Sequence, residues 1–490
     1  NDLYVGYYGT GNLTVENGGN VSTSGNLYLG YHEPAGMVFV DSKGTVTITG
    51  DQSRLSTVLA HIGHYRYGEL NVSDGGVLTS SSSYLGTNIG STGVAKISGG
   101  SWTVDGRLSI GEQGSGTLNI SDGGTVSSGV GTIGFSGSST GEVSVSTGGS
   151  WTVDNQLYVG LAGDGTLNIT SGGVVSTNNI AYVGTGAKSN GTLTVDGAGS
   201  RFQSADLVIS DMGRSILTIQ NGGVVNSTNV IVGERSWEAA SAAVTVIGQA
   251  SALNSSKLEV GKEGTGTITV QSGGKLTSSE ATIAVEPGSS GSVTVSGQDS
   301  VWDAGTSFGT SLHIGRGGHG TLSISDGATV SSFTGSVGTL AGAHGIVNVS
   351  GADSEWNIVS ALNIGQQGKG ELNILSGGQV TNASVRIGGG NPDTPASTAT
   401  VSGPGSIWST YDMYVGYSSP AEMTISDGGQ VVTRLSSNGS IAVGDVSAKV
   451  TVTGSGSLWA VNNLNVGLAG HGELNIEDGG LVTANTAYIA

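Results

Sequence analysis

The chain has 490 residues, no cysteine, 89 glycines, 11% charged residues and a formal net charge of −19. That balance argues against nucleic acid or an anionic lipid surface as partner, and the lack of cysteine excludes a disulfide-stapled scaffold. No stretch is long and apolar enough to span a bilayer as a helix, and the first residues carry no signal-peptide pattern.

From Leu13 to Leu474 the sequence repeats about every 25 residues, in two alternating forms. One form begins its apolar core at Leu70, Leu118, Leu167, Leu217, Ile268, Leu322, Leu372, Met423 and Leu474. The other begins at Val46, Ala95, Val143, Leu193, Val244, Val293, Val347, Ala399 and Val450. A fixed period of this size marks a solenoid or an array. Each unit holds three short runs of the type L-N-I, x-V-x-S and L-x-I-G, split by Gly, Ser, Asn and Asp. Alternation of apolar and polar residues predicts strands with one buried face. The glycine content and the absence of a 3.6-residue stripe exclude helices. The expectation is an all-β fold: a single parallel β-helix (β-solenoid) of about 19 coils of about 25 residues, continuous over 1–490. At the β-strand spacing such a stack is roughly 90 Å long.

In chain order, the N-terminal coils carry aromatics and histidines just after the L-x-I-G strand: Tyr7, Tyr8, Tyr31, His32, His64, Tyr65, Arg66 and Tyr67. The repeat register places them above one another on one corner. Two readings stand: ordinary loop residues, or a contact patch for a sugar or protein, since Tyr, His and Arg favour such surfaces. A metal site from His32, His61 and His64 is disfavoured, because His61 belongs to a strand and no carboxylate cluster joins the three.

The two forms differ at one inward position. The Asp-Gly-Gly coils have small aliphatics there, such as Val21, Val126, Val225, Val330 and Val380. The alternate coils have Leu55, Trp102, Trp151, Phe202, Leu253, Trp302, Trp356, Trp408 and Trp459. The expectation is a buried core ladder with each indole N–H on a turn carbonyl; the alternative is an exposed aromatic ladder that stacks on sugar. In Asp74-Gly75-Gly76 and its equivalents, the Asp exchanges with Asn17, Ser171, Asn221, Ser272 and Ser376. A turn is predicted in which this residue bonds its own backbone and Gly takes a positive φ. Calcium on stacked carboxylates is the weaker alternative, since the G-G-x-G-x-D nonapeptide is missing.

Segments 31–44, 187–191, 234–242, 303–311, 389–399 and 433–439 depart from the regular spacing and are candidate functional loops. Trp237 is the one tryptophan off the repeat register. It is either an exposed anchor or packed onto a neighbouring coil. Acidic residues are spread about one per repeat, the 17 basic residues do not cluster, and no catalytic motif stands in a suitable context. No enzymatic activity, cofactor or metal is expected.

The run L-x-I-G-x-x-G-x-G-x-L-x-I-x-x-G-G-x-V, at 108–124, 362–378 and 464–480, resembles the repeat shared by type V autotransporter passengers and PEP-CTERM-associated proteins. The resemblance covers essentially the whole chain. It implies a right-handed β-helix displayed at the surface of a Gram-negative cell, or secreted, after export through the periplasm and an outer-membrane barrel. The family includes AIDA-type adhesins and self-associating autotransporters. Its functional residues form no fixed motif, so none is carried over. The ends of the chain fall inside repeats, as expected of part of a longer passenger. The function implied is adhesion, in cell aggregation, biofilm formation or host attachment. Partners would be the same protein on neighbouring cells, host glycans or matrix proteins. The alternatives are an inert stalk and a carbohydrate-active β-helix enzyme.

Overall fold

The computed structural model describes residues 1–31, 42–237, 240–433 and 437–490. His32 and parts of the candidate loops 31–44, 234–242 and 433–439 lie outside the described residues. The described chain is all-β, a parallel β-solenoid of about 19 turns. It forms two compact units, one of Asn1–Val230 with Trp237–Val244, the other of Ile231–Ser236 with Thr245–Ala490. Both are built from the same coil.

Alternation sets the coil. In Ser115–Ser121, Leu118 and Ile120 are fully buried while Asn119 and Ser121 face outward. Parallel pairing carries the pattern from coil to coil: Leu118 stands over Ala95 on one side and Val143 on the other. In the second unit Leu322, Val347, Leu372 and Ala399 follow one another in the same way. Each buried aliphatic contributes on the order of 1.5–3 kcal/mol. After this first strand the chain turns and enters a second sheet. There the three-strand expectation needs refinement. Ser150–Val153 and Leu157–Val159 are separate strands, but Arg54–Ile62, Val77–Leu85 and Thr125–Ile133 run through the corner as single strands of nine residues. Ser101–Ile110 does the same with a register slip between Val104 and Arg107, the signature of inserted residues accommodated as a bulge.

The large residues form the expected buried ladder. In the first unit Leu55, Leu78, Trp102, Val126, Trp151, Val175 and Phe202 stand in successive register. Leu253, Leu276, Trp302, Val330, Trp356, Val380, Trp408, Val431 and Trp459 do so in the second. All six tryptophans of the ladder are 0% exposed. Their indole partner differs from the turn carbonyl expected. Trp102, Trp151, Trp302 and Trp356 donate from Nε1 to the hydroxyls of Ser80, Ser128, Ser278 and Ser332, at 3.1–3.3 Å. Trp408 donates to Asn382 Oδ1 at 2.7 Å. In these five the acceptor is in the preceding coil, so the indole leans backward, whereas Trp459 Nε1 is buried with no hydrogen-bond partner among the described residues. The ladder indoles need room in that coil. A Cβ on Gly131 would lie 2.7 Å from Trp151 Cζ2, and one on Gly335 2.8 Å from Trp356 Cζ2. The equivalent position ahead of Trp102 is Ser83, ahead of Trp302 Ala281, and ahead of Trp459 Gly439. In the tryptophan-bearing coils that position is large: Leu108, Leu157, Leu312, Leu362 and Leu464.

The turns alternate as well. In Ser121-Asp122-Gly123-Gly124 the Gly124 N–H donates to Ser121 O at 2.8 Å, and both central residues are left-handed, with φ of 52° and 75°. This is a type I′ geometry. The sequence-based expectation assigned the positive φ to Gly; the Asp shares it. The Asp side chain does not bond its own backbone either: Asp122 Oδ2 accepts from the Ser98 and Ser121 hydroxyls, each at 2.9 Å. Asp427 likewise accepts from Ser402 of the preceding coil. Those hydrogen bonds, the Ser98 bond foremost, hold the Asp122 carboxyl below the usual carboxylate range. In the alternate coils the turn is Gly351-Ala352-Asp353-Ser354, with Asp353 left-handed at 62° and the Ser354 N–H on Gly351 O. Ser354, fully buried, accepts at Oγ from the Gly327 N–H of the preceding coil at 3.0 Å. Ser300, Ser406 and Ser457 repeat the bond in the second unit, and Ser53 and Ser200 in the first.

Two outcomes follow. Gly335→Leu should overpack the Trp356 site and cost about 1–3 kcal/mol, whereas Trp356→Val in the same chain should recover part of the loss. A thermodynamic cycle by denaturant unfolding checks the coupling, expected at ~1 kcal/mol or more. Ser354→Ala should cost about 1 kcal/mol, because it removes the acceptor of the half-buried Gly327 N–H; amide exchange at Gly327 should rise first.

Candidate functional site

The outward residues of the third strand and the corner after it build one continuous aromatic face in the first unit. Tyr4, Tyr28, His61 and Tyr84 occupy equivalent positions in successive coils. Their rings stack in a column: Tyr4 on Tyr28 at 5.0 Å, Tyr28 on His61 at 4.9 Å with planes 7° apart, and His61 on Tyr84 at 5.2 Å. Three residues further along each coil stand Tyr7, Tyr31 and His64, stacked at 5.1 Å with planes 7° and 1° apart. The columns meet edge to face, through Tyr4–Tyr7, Tyr28–Tyr31 and His61–His64. Tyr8 lies edge-on to Tyr7, and Tyr65 edge-on to Tyr31 and His64. Beyond Tyr84, the Arg107 guanidinium lies over both Tyr84 and Phe135 and pairs with Glu112 at 2.7 Å.

The structure thus brings together Tyr7, Tyr8, Tyr31, His64 and Tyr65 of the sequence-predicted patch. Tyr67 stands apart: it begins the next strand, bonds Glu69 through its hydroxyl at 3.0 Å and carries Lys43 over its ring. Arg66 is half-buried, with its amide on Gly30 O. His32 is outside the described residues. Trp237 is 55% exposed. Sequence reasoning missed Tyr4, Tyr28, His61 and Tyr84 as members of the face. Their signal was the recurrent aromatic inside the strand itself, in L-Y-V, L-Y-L, A-H-I and S-Y-L.

The flat faces of these rings are mostly taken up by neighbouring rings, so the surface presents edges and hydroxyls. Tyr4 and Tyr7 are each 40% exposed and Tyr8 54%. His61 and His64 are the perturbed groups. Burial holds both imidazoles down at about 4, and for His61 the neighbouring His64 adds to the effect. His61 Nδ1 meets Thr87 Oγ1 at 3.3 Å, while His64 Nδ1 is buried with no hydrogen-bond partner among the described residues. No group of three or more His, Asp or Glu side chains suited to a metal ion occurs among the described residues. The arrangement presents ring edges, phenolic hydroxyls and two half-buried imidazoles.

The candidate loop 187–191 also changes meaning. It belongs to a corner that recurs in alternate coils and is closed each time by a buried serine: Ser91, Ser139, Ser189 and Ser289 donate to the carbonyl three residues back.

The architecture defines a β-solenoid repeat protein with an aromatic outer face in its first unit. No family model matches the chain. Over 171 residues, 34% of the chain, it is 30% identical to the uncharacterized lipoprotein YdeK of Escherichia coli (strain K12), covering 12% of that protein. Over 99 residues, 19% of the chain, it is 38% identical to the adhesin BmaC autotransporter of Brucella suis biovar 1 (strain 1330), covering 3% of that protein. The matched stretches are therefore small parts of both relatives. A crystal structure of a TibC-catalyzed hyper-glycosylated TibA fragment aligns over 97% of this chain and 99% of that one, at 15% identity and a TM-score of 0.22. The chain is thus similar in sequence to an autotransporter adhesin, and its repeats fold as a β-solenoid.

Truncating Tyr28 tests the aromatic face. Tyr28→Ala removes ring contacts with Tyr4, Tyr31, His61 and His64 together, each worth about 0.5–1.5 kcal/mol beyond area burial. It should destabilise the first unit more than Tyr158→Ala, which loses the stack on Tyr182. Near-ultraviolet circular dichroism and denaturant midpoints report the difference.

Proposed function

We propose that this chain acts in bacterial adhesion, as a β-solenoid presented at the cell surface or secreted. The similarity to the BmaC adhesin carries the reading. The solenoid supports it, because repeated coils supply many equivalent weak contacts that gain by multivalency between surfaces. The role is binding, not catalysis: Asp122, Asp326 and Asp427 sit in turns, where they accept serine hydroxyls, and Glu69, Glu112 and Glu371 are held in ion pairs. Partners are a second copy on a neighbouring cell or host glycans and matrix proteins. The aromatic face and Trp237 are the proposed heterotypic contacts.

Residues 1–490 displayed on non-aggregating bacteria test this against bare bacteria carrying a different label. Clumping confined to displaying cells supports homotypic contact; capture of bare or host cells supports a heterotypic ligand. Neither clumping nor capture overturns the reading in favour of an inert stalk. If Tyr8 anchors a heterotypic ligand, Tyr8→Ser should lower capture by ~10-fold, as expected on losing an exposed aromatic anchor. It should shift the melting curve less than Tyr28→Ala does, since Tyr8 lies edge-on to Tyr7, whereas Tyr28 meets Tyr4, Tyr31, His61 and His64.

A further inference from the structure

Coils one and two place a tyrosine pair at the two facing columns, Tyr4 with Tyr7 and Tyr28 with Tyr31; the third places His61 with His64. The imidazoles thus replace phenols in an otherwise continuous stack. His61 is sandwiched between Tyr28 and Tyr84. His64 lies flat on Tyr31 and edge-on to Tyr28, Tyr65 and His61. We propose that the His61–His64 pair is an acid-sensitive latch on the first coils, closed while both rings are neutral and released when they take up protons.

The surroundings favour release. The titratable and charged groups facing the pair are Tyr28 and Tyr31 of the coil before, Tyr65 and Arg66 of its own corner, and Tyr84, under Arg107, of the coil after. Among the described residues no carboxylate touches either imidazole. Glu69 is engaged by Lys96 and Tyr67, and Glu112 by Arg107. Two protons would therefore place two cations with ring centroids 4.9 Å apart, without a counter-ion among the described residues, in a half-buried site. His64 Nδ1 would gain a proton with no acceptor in reach among the described residues. Stacking on tyrosine returns some cation–π energy, but the same rings already stack on the neutral form.

The sign is set by linkage. Both histidines sit at about 4 in the folded protein, below the ordinary value of 6.5, so the opened state binds more protons between those limits. Their contribution to stability is complete above pH 6.5 and is lost as the pH falls towards 4. The opening equilibrium should rise by up to ~10-fold per pH unit for each histidine. Tyrosine offers the control, because the two preceding coils already carry it at both positions.

The experiment is hydrogen exchange by mass spectrometry on the full chain from pH 7 to 4, corrected for intrinsic rates, with the variant His61→Tyr/His64→Tyr beside it. The latch requires protection in 54–92 to fall on acidification in the native chain and to hold in the variant. Equal loss of protection in both overturns it, as does an imidazole titration by NMR at the ordinary histidine value. Should the double variant fold poorly, His61→Phe alone must halve the pH slope; an unchanged slope rejects the proposal. Each readout is independent of whether the protein binds cells.

Discussion

One constraint governs this chain: parallel coils stacked in register place every side chain directly beneath its own counterpart in the next repeat. A residue's main neighbour is thus the same position about 23 to 34 residues away, as the strand register shows, from Arg107 beside Val130 to Asn20 beside Arg54. Inside the solenoid that rule would set tryptophan on tryptophan. Five of the six ladder indoles lean backward to a serine or asparagine, which consumes space in two coils at once. Gly131, Gly335 and Gly439 yield that space, and small aliphatics fill the ladder between. The doubling of the period from 25 to 50 residues is the packing consequence of one large side chain. The turns follow the same alternation. A serine from one turn type caps an amide of the other, so neighbouring coils are unlike and complementary.

Outside, no wall limits the rings, and like can stack on like. Tyr4, Tyr28, His61 and Tyr84 do so at about 5 Å. This is close to the coil spacing itself, and slightly wider than ideal ring contact. The second column closes that looseness by meeting the first edge to face. The face is therefore a joint property of four coils, and replacing one ring disturbs several contacts.

Most of the architecture was legible in the sequence because the repeat states it many times over. The apolar positions of the first strand, the ladder from Leu55 to Trp459 and its alternation all stand where the pattern placed them. What escaped were features that depend on which atom meets which coil. The indole partner looked like a turn carbonyl, because a sequence does not show that the ring tilts backward. Asp122 looked like a residue bonding its own backbone, because its serine partner on the preceding coil is 24 residues away. The aromatic face was half visible: Tyr7, Tyr31 and His64 stood out as loop residues. Tyr4, Tyr28 and His61 were hidden inside strands, where an aromatic on the outer face reads as ordinary strand composition.

The stacking also shapes how such a surface meets a partner. A sugar that lies flat on an aromatic needs an open ring face, and within these columns the faces are occupied by rings from neighbouring coils. What remains accessible is a row of ring edges and phenolic hydroxyls at coil spacing, with Tyr8 the most open. On the proposed adhesive role, a partner would meet this face through hydrogen bonds and edge contacts repeated along the coils. Such contacts gain strength from the number of coils engaged. The same columns half-bury His61 and His64, so the two imidazoles share their surroundings with the rings that form the face.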